Sequence, residues 1–407
     1  MASTLTAIFA YSKATGRAPL WLACLLILTA CAGTSQVSAP AGLPVSFDSD
    51  FEMGRLSSYT QTGPNSYAVV IDPEHSGVNN SPWFAYRISS DQAHTITVRM
   101  SYSLHGHRFP PKTGTNPYDL QQLPDQQVKL LDGGKAVEMT LLVGPEPLYV
   151  AAQNLLDNAY NERWIQQLAE HPEASVSLLG RSVQGRPIEQ LIIDNGQSNL
   201  WILITGRQHP AEVPGAITLV AFLDEVFADN PVANSFRQKF NLWIIPALNP
   251  DGIAAGHWRF NAQHTDLNRD WGLFKQPEIL LVHRALQRRF EQPDTEQKLV
   301  LGLDFHSTYR NVLYTQKDGE PAILGDFTPD WHHAITTAMP EYNMGRSAIT
   351  NYGNPTFKQY ISMQYDIPGI TYEAGDKVPH AELEQGGRIA ATTMMALLLD
   401  ASFETRD

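Results

Sequence analysis

A histidine and a carboxylate three residues apart follow an apolar run that predicts a buried strand. The run covers residues 200–206, and His209 and Glu212 come soon after it. A second histidine, His306, closes another apolar run about ninety residues further along the chain. Catalytic zinc usually takes three protein ligands of these types and keeps a fourth position open for water. His209, Glu212 and His306 therefore predict one zinc ion per chain.

The cysteines argue against a structural zinc site. Cys24 and Cys31 are the only cysteines, which excludes a site built from several thiolates. Structural sites usually use short, paired ligand spacings, whereas the third ligand here comes from a separate strand. The His-x-x-Glu spacing is weak evidence by itself, because exposed helix starts often carry both residues by chance. Its weight depends on the motifs that follow it.

Five short motifs occur in an order that resembles the active site of the zinc carboxypeptidases. Two of them carry the three candidate ligands. The other three are Asn249–Gly252, Asp266–Trp271 and Ile370–Asp376. The resemblance covers roughly residues 150–400. It implies an enzyme that hydrolyses the C-terminal peptide bond of peptides by attack of a zinc-bound water.

The resemblance also implies roles for residues beyond the metal ligands. Glu373 corresponds to the general base, which takes a proton from the water and passes it to the leaving amine. Arg259 corresponds to the arginine that polarises the scissile carbonyl and stabilises the oxyanion. Asn268 and Arg269 match the pair that binds the terminal carboxylate of the substrate. Asp266 matches the carboxylate that accepts a hydrogen bond from the non-ligating nitrogen of the first histidine ligand.

For the residues that would select the substrate, the sequence leaves alternatives open. Tyr352 lies near the place where the family has a mobile tyrosine over the substrate, but the spacing departs by about two residues, which leaves Tyr360 as an alternative. Lys358 precedes the general base. It either points into the pocket for the last residue, favouring an acidic side chain, or points to solvent. Ala211 replaces the glycine usual in the cytosolic-type motif, which leaves the subfamily and the substrate open.

The pattern of apolar runs predicts the fold class. Four runs read as strands buried on both faces, and helical patterns lie between and after them. The strands are 200–205, 240–247, 299–305 and 367–372, and the helices are 215–227, 276–290 and 387–399. Such alternation predicts an α/β domain with a mixed, largely parallel sheet and helices on both faces. Sites in these sheets form outside the carboxyl ends of the strands.

A second, smaller domain is predicted before the enzyme. Residues 94–103 and 137–143 alternate between apolar and polar side chains, which is typical of antiparallel strands with one buried face. Residues 47–145, including Trp83–Arg87, resemble the β-sandwich that precedes the catalytic domain in cytosolic-type carboxypeptidases. We therefore expect a β-sandwich over residues 46–146 and a zinc carboxypeptidase domain over residues 147–407.

The first thirty residues predict export rather than folded structure. Lys13 and Arg17 precede an apolar segment, and Leu28–Cys31 resembles the lipobox of bacterial lipoproteins. The prediction is a signal peptide over residues 1–30, lipidation of Cys31 and a flexible tether over residues 31–45. By resemblance, Ala32 predicts anchoring at the outer membrane of a Gram-negative bacterium, facing the periplasm. An ordinary secretory peptide or a single anchor helix is the alternative.

Charge and composition narrow the classes of function. The formal charge is −13, and loss of Lys13 and Arg17 with the signal peptide would leave −15, which makes nucleic acid an unsuitable partner. The leading hypothesis is a lipid-anchored zinc carboxypeptidase acting on peptides with a free C-terminal carboxylate. Cleavage of murein stem peptides or γ-linked amides is an alternative for the same site. A catalytically inactive binding lipoprotein is the third hypothesis.

Overall fold

Two small sheets and one large mixed sheet form the part of the chain that the structure describes. The structure is a computed structural model that describes residues 42–321, 323–350, 353 and 356–403. The predicted signal peptide and Cys31 lie outside the described residues. In the described residues no helix is both long enough and apolar enough to cross a membrane.

The N-terminal sheets contain ten strands. These are β1 (Val45–Asp48), β2 (Ser58–Gly63), β3 (Ser66–Ile71), β4 (Ala85–Ser90), β5 (His94–Tyr102), β6 (Lys112–Gly114), β7 (Gln121–Gln122), β8 (Val128–Leu131), β9 (Ala136–Val143) and β10 (Leu148–Ala151). One sheet has the order β1-β4-β10-β6-β7, and the other has the order β2-β3-β5-β9-β8. All neighbours are antiparallel except the parallel pair β3 and β5.

The two N-terminal sheets pack through their alternating apolar faces. In β5 the side chains of Ile96, Val98 and Met100 are buried, as the sequence pattern predicts. Tyr86 of the first sheet contacts Met100 of the second through its hydroxyl group, 3.9 Å from the sulfur. Strand β10 lies beyond residue 146, the predicted end of this domain, and pairs with β4 and β6. The first sheet therefore extends to residue 151.

The large sheet has eight strands. They are β11 (Ala174–Arg181), β12 (Pro187–Ile193), β13 (Leu200–Gly206), β14 (Asn241–Ile245), β15 (Lys298–Thr308), β16 (Val312–Thr315), β17 (Gly345–Ala348) and β18 (Gly369–Gly375). Their order is β11-β12-β14-β13-β15-β18-β16-β17. The four central strands β14, β13, β15 and β18 are parallel to one another. On one side β12 is antiparallel to β14 and to β11, and on the other side β16 is antiparallel to β18 and parallel to β17. The predicted fold class is confirmed.

Helices cover both faces of this sheet and create two separate cores. They are α1 (Asn158–Leu168), α2 (Val213–Val226), α3 (Pro231–Lys239), α4 (Pro250–Ala254), α5 (Pro277–Phe290), α6 (Phe327–Ala338), α7 (Phe357–Tyr365) and α8 (His380–Asp400). Strand β13 serves both cores, because Ile202 and Ile204 pack on one side with α2 and α8, while Trp201 and Leu203 pack on the other with α5 and α7. The apolar run at 200–206 therefore reflects burial on two faces.

Helix α8 begins seven residues before the predicted start at residue 387. The glycine pair Gly386 and Gly387 lowers helix propensity and weakened the prediction there. In the fold, a Cβ on Gly387 would lie 2.4 Å from the carbonyl oxygen of Thr218 in α2. The absence of a side chain lets α8 pack closely against α2, so tertiary packing outweighs propensity.

The same kind of close approach positions the first metal-ligand segment. Helix α2 starts just after Glu212, and the backbone N–H of Gly215 donates to Ser307 Oγ at 2.8 Å. A Cβ on Gly215 would lie 2.4 Å from the carbonyl oxygen of His306. The start of α2 is therefore pressed against the strand that carries the second histidine.

We expect Gly215→Ala to destabilise the protein by about 1–3 kcal/mol or more, because the methyl group must displace the backbone of β15. Urea unfolding measures the change. The matched control is Gly345→Ala, where the nearest atom to an added Cβ is 3.5 Å away, an ordinary contact. Equal stability of the two variants would contradict the proposed close approach.

Candidate metal centre and active site

Three predicted ligands meet at the carboxyl edge of the large sheet. His209 and Glu212 lie in the connection between β13 and α2, and His306 lies near the end of β15. Their ligand atoms all lie within 4.8 Å of one another. His209 Nδ1 is 2.8 Å from Glu212 Oε1, and His306 Nδ1 is 2.6 Å from Glu212 Oε2. Of the described residues, this is the group that could hold a metal ion.

The distances fit zinc. His209 Nδ1 and His306 Nδ1 are 3.2 Å apart. Two nitrogen atoms bonded at about 2.0–2.1 Å to one tetrahedral ion would lie about 3.3 Å apart. Two imidazoles and one carboxylate, with a cavity on the remaining side, form a ligand set typical of catalytic rather than structural zinc. The residues present therefore fit the ion that the sequence predicts.

The buried carboxylate of Asp304 and the half-buried carboxylate of Asp266 orient the imidazole rings. The outer nitrogen of His209, Nε2, is 2.9 Å from Asp266 Oδ1, and the outer nitrogen of His306, Nε2, is 2.6 Å from Asp304 Oδ2. Such partners select the tautomer that leaves the inner nitrogen, Nδ1, as the lone-pair donor. The contact of Asp266 with His209 is the geometry that the family resemblance implies.

Asp304 was not among the predicted site residues. It is fully buried and accepts hydrogen bonds from Thr205 Oγ1 at 2.9 Å and from Gln208 Nε2 at 2.6 Å. Its position two residues before His306 in a strand was a usable signal, because residues i and i+2 share a face. A charged residue within an otherwise apolar run requires a partner.

Charge compensation determines the protonation of these groups. Burial alone would raise the pKa of Glu212, but the imidazoles of His209 and His306 hold that pKa well below its ordinary value. Burial also opposes ionisation of Asp266, whereas His209 and Arg259 lower its pKa below the ordinary range. For His306, burial lowers the pKa, but Asp304 and Glu212 raise it well above 6.5. Both carboxylates are therefore ionised at neutral pH.

Glu373 lies beside the metal-ligand group. It belongs to β18 and is the direct partner of His306 in the parallel pairing with β15. Its Oε2 atom is buried and makes no hydrogen bond to any residue in the described part of the chain. Burial, followed by the charge of Glu212, raises the pKa of Glu373 to about 8. An unpaired carboxylate oxygen of raised pKa in a cavity is a candidate proton acceptor.

Arg259, Asn268 and Arg269, which the resemblance assigns to the substrate, line the same cavity. Arg259 Nε donates to Asp266 Oδ2 at 2.6 Å. Asn268 Oδ1 accepts from the backbone N–H of Phe357 at 2.9 Å, which ties it to the start of α7. Arg269 Nη1 donates to the carbonyl oxygen of Asn268 at 2.7 Å. The three cavity residues are thus held in defined positions by the protein itself.

The cavity has a volume of about 520 Å³ and is lined from both parts of the chain. Its lining residues are Asn79, Asn80, Ser81, Arg108, His209, Glu212, Arg259, Asn268, Arg269, Thr308, Tyr309, Tyr314, Ile349, Thr356, Lys358, Gln359, Thr371 and Glu373. The first four come from the connections between β3 and β4 and between β5 and β6 in the N-terminal part of the chain, and they were not predicted. Tyr309 and Tyr314 were also not predicted as site residues.

Arg108 anchors the N-terminal wall of the cavity. Its Nε donates to Asp376 Oδ2 at 2.9 Å, and both side chains of this ion pair are buried. Its guanidinium group also lies 3.9 Å from the ring centre of Tyr309. Arg108 and Asp376 are 268 residues apart in sequence, so no local pattern could have indicated the pair.

Lys358 faces the cavity rather than open solvent. Its Nζ donates to the carbonyl oxygen of Thr315 at 2.9 Å and to that of Ile349. Burial lowers the pKa of Lys358 to about 8. Tyr352 lies outside the described residues. The alternative, Tyr360, does not line the cavity, because its ring stacks on Trp271 with the centroids 5.5 Å apart.

We expect Glu373→Gln to stabilise the metal-free protein more at about pH 8 than at about pH 4. The raised pKa means that the folded state binds this proton more tightly than the unfolded state does. The contribution of Glu373 to the free energy of unfolding therefore falls as the pH rises from 4.5 to about 8, and the glutamine variant does not show this fall. Urea unfolding in EDTA at both pH values measures the difference. If the difference in unfolding free energy between the two proteins did not change with pH, the raised pKa of Glu373 would be contradicted.

Comparison with known proteins finds similar sequences and structures. Residues 161–343 match the family model of the zinc carboxypeptidases. Cytosolic carboxypeptidase 6 of Mus musculus is 24% identical over 299 residues, which cover 66% of this chain and 54% of the relative. The chain thus spans about half the length of that relative.

Two solved structures share the fold. A metallo-carboxypeptidase from Burkholderia cenocepacia aligns with a TM-score of 0.71 and 20% identity, covering 87% of this chain and 98% of that one. A metallo-carboxypeptidase from Pseudomonas aeruginosa, in complex with (2-guanidinoethylmercapto)succinic acid, aligns with a TM-score of 0.71 and 18% identity. The alignment covers 87% of this chain and 99% of that one. The family match and the relative show that this chain is homologous to the cytosolic carboxypeptidases and carries the zinc carboxypeptidase model over residues 161–343.

Proposed function

We propose that this protein is a zinc metallocarboxypeptidase that removes C-terminal residues from peptides. The observation that carries the proposal is one cavity that combines a metal-ligand group, an unpaired carboxylate and several cationic side chains. The cationic groups are Arg108, which is paired with Asp376, and Arg259, Arg269 and Lys358. An inactive binding protein would have no need to keep all of these groups together.

In the proposed chemistry the ion and the side chains have different roles. When bound by His209, Glu212 and His306, zinc supplies a Lewis acid that polarises a carbonyl group and acidifies water. Glu373 accepts the proton of the attacking water and delivers it to the leaving amine. Arg259, whose Nε is held by Asp266, donates through its Nη groups to the oxyanion that develops on the scissile carbonyl.

The cationic groups explain why the substrate would be the C-terminal end of a peptide, which carries a carboxylate. Arg269, with the amide of Asn268, binds the terminal carboxylate, for which a planar guanidinium group is well suited. Lys358 has three N–H donors, and two of them are occupied by backbone carbonyls. The third can bind an acidic side chain of the last residue. We therefore propose a preference for peptides that end in aspartate or glutamate.

We expect Arg269→Ala to lower kcat/KM for free-acid peptides by roughly tenfold to a hundredfold, mainly through KM. This range corresponds to the loss of a charged hydrogen bond worth about 1.5–3 kcal/mol. Kinetics on matched free-acid and amidated peptides, with zinc content measured for each preparation, provide the test. Amidated peptides should be poor substrates of the wild type.

Arg388→Ala is the matched control, because Arg388 lies on α8 and only approaches Asp224 at 4.0 Å. Its kinetics should equal those of the wild type. Equal cleavage of acid and amide peptides would refute recognition of the terminal carboxylate. Cleavage of murein fragments alone would favour the murein alternative, and no hydrolysis of either class would favour an inactive binding lipoprotein.

We also propose that the protein is anchored to the outer membrane by lipid at Cys31 and faces the periplasm. The support is the Leu28–Cys31 sequence after a basic and apolar leader. The tether that follows would give the enzyme freedom to reach peptides near the membrane surface.

Cys31→Ser is expected to move the protein from the membrane fraction to the soluble fraction, or to leave it unprocessed. Each buried methylene group of an acyl chain contributes about 0.8 kcal/mol, so several chains hold a lipoprotein firmly. Fractionation with mass spectrometry of the N-terminal peptide measures the effect, and Cys24→Ser is the control. Identical fractionation of Cys31→Ser and wild type would reject lipidation.

A further inference from the structure

The segment that carries Arg259 is bound by a carboxylate of the N-terminal sheets. Glu74 lies between β3 and β4 and accepts three consecutive backbone N–H groups. Its Oε2 accepts from Trp258 at 3.0 Å, and its Oε1 accepts from Arg259 at 2.8 Å and from Phe260 at 3.1 Å. Hydrogen bonds to an ionised acceptor are about twice as strong as neutral ones. Arg259 is the middle residue of the three.

This segment has little regular structure of its own. Residues 256–265 form turns and bends between α4 and the short turn that contains Asn268. The indole Nε1 of Trp258 donates to the carbonyl oxygen of Trp83 at 3.1 Å, so the neighbouring side chain is also held by the N-terminal sheets. The N-terminal part of the chain therefore holds the backbone at Arg259 and on both sides of it, in addition to the local hydrogen bonds of the segment.

We propose that Glu74 is a positioning residue for Arg259 and that the N-terminal sheets thereby complete the oxyanion site. The proposal rests on the function proposed above. Two carboxylates share the task, since Asp266 holds the Nε of the Arg259 side chain while Glu74 holds its backbone. With its backbone N–H and its Nε both bound, the Arg259 side chain has fewer conformations open to it before substrate binds.

The charge and the two oxygens of Glu74 are both needed for this task. A glutamine at position 74 keeps the shape but offers one acceptor oxygen, and its NH₂ group is a donor that cannot pair with a backbone N–H. At least one of the three N–H groups would lose its partner. The segment would then shift or fluctuate, and a displacement of about 1 Å at a catalytic group can cost a hundredfold in rate.

The test compares Glu74→Gln with Glu52→Gln in the full-length, zinc-loaded protein. Glu52 is a suitable control because its Oε2 also accepts a backbone N–H across the two parts of the chain, that of Asn158 at 3.0 Å, but does not contact the Arg259 segment. We expect Glu74→Gln to lower kcat by about tenfold to a hundredfold with a smaller change in KM. Zinc content should be unchanged, and Glu52→Gln should have the kcat of the wild type.

A double-mutant cycle with Arg259→Ala separates positioning from general destabilisation. If Glu74 acts through Arg259, Glu74→Gln should cause no further loss of kcat once Arg259 is removed. A full additional loss in the double variant, or an unchanged kcat in Glu74→Gln alone, would overturn the proposal. If Glu74→Gln does not fold, Glu74→Asp takes its place in the cycle, because it keeps the charge and shortens the reach.

Hydrogen exchange provides a readout that is independent of activity. The backbone amides of residues 258–260 should exchange faster in Glu74→Gln than in the wild type, while exchange in β13 and β15 stays the same. Unchanged exchange at 258–260 would overturn the positioning role even if activity fell. If the wild type hydrolyses no peptide, the proposed function fails, and the exchange data still decide whether Glu74 holds the segment.

Discussion

The register of the parallel strands β13, β15 and β18 determines where the reactive groups meet. These neighbouring strands run in one direction, so their carboxyl ends share an edge of the sheet. The pairing of His306 with Glu373 places both side chains on one face. A slip of one residue would turn one of them to the opposite core. Because each face of the sheet packs against its own helices, such a slip would also expose apolar side chains.

Buried charge is the second constraint, and it explains the chemistry of the site. Glu212, Asp266 and Asp304 are carboxylates in a largely buried region, and each contacts an imidazole. Asp266 and Asp304 approach the outer nitrogens, so the inner nitrogens are turned toward Glu212 and the cavity. The same hydrogen bonds that compensate burial therefore prepare the group for a dication. Glu373 Oε2 has no hydrogen-bond partner among the described residues, and burial, followed by the charge of Glu212, raises the pKa of this carboxyl group to about 8.

The N-terminal sheets contribute directly to the cavity. Arg108 forms a buried ion pair with Asp376, three residues after Glu373, and Asn79, Asn80 and Ser81 line the cavity mouth. Glu74 binds the backbone around Arg259. These contacts make the N-terminal sheets part of the site rather than a separate module attached to an enzyme. They also give a physical reason for substrate selection to depend on residues far from the metal-ligand motifs.

The sequence alone determined the elements with strong local signals. The apolar runs of β13 and β15 and the fold class follow from periodicity. The candidate ligand set His209, Glu212 and His306 follows from residue type and spacing together with the order of motifs that resembles the zinc carboxypeptidases. The strands β16 and β17, the start of α8 and the partners Arg108 and Glu74 were decided by tertiary structure. The physical reason is that a hydrogen bond or ion pair between distant residues leaves no local pattern. Propensity and periodicity depend on residues that are close in sequence. Burial, charge compensation and close packing depend on residues that the whole fold brings together.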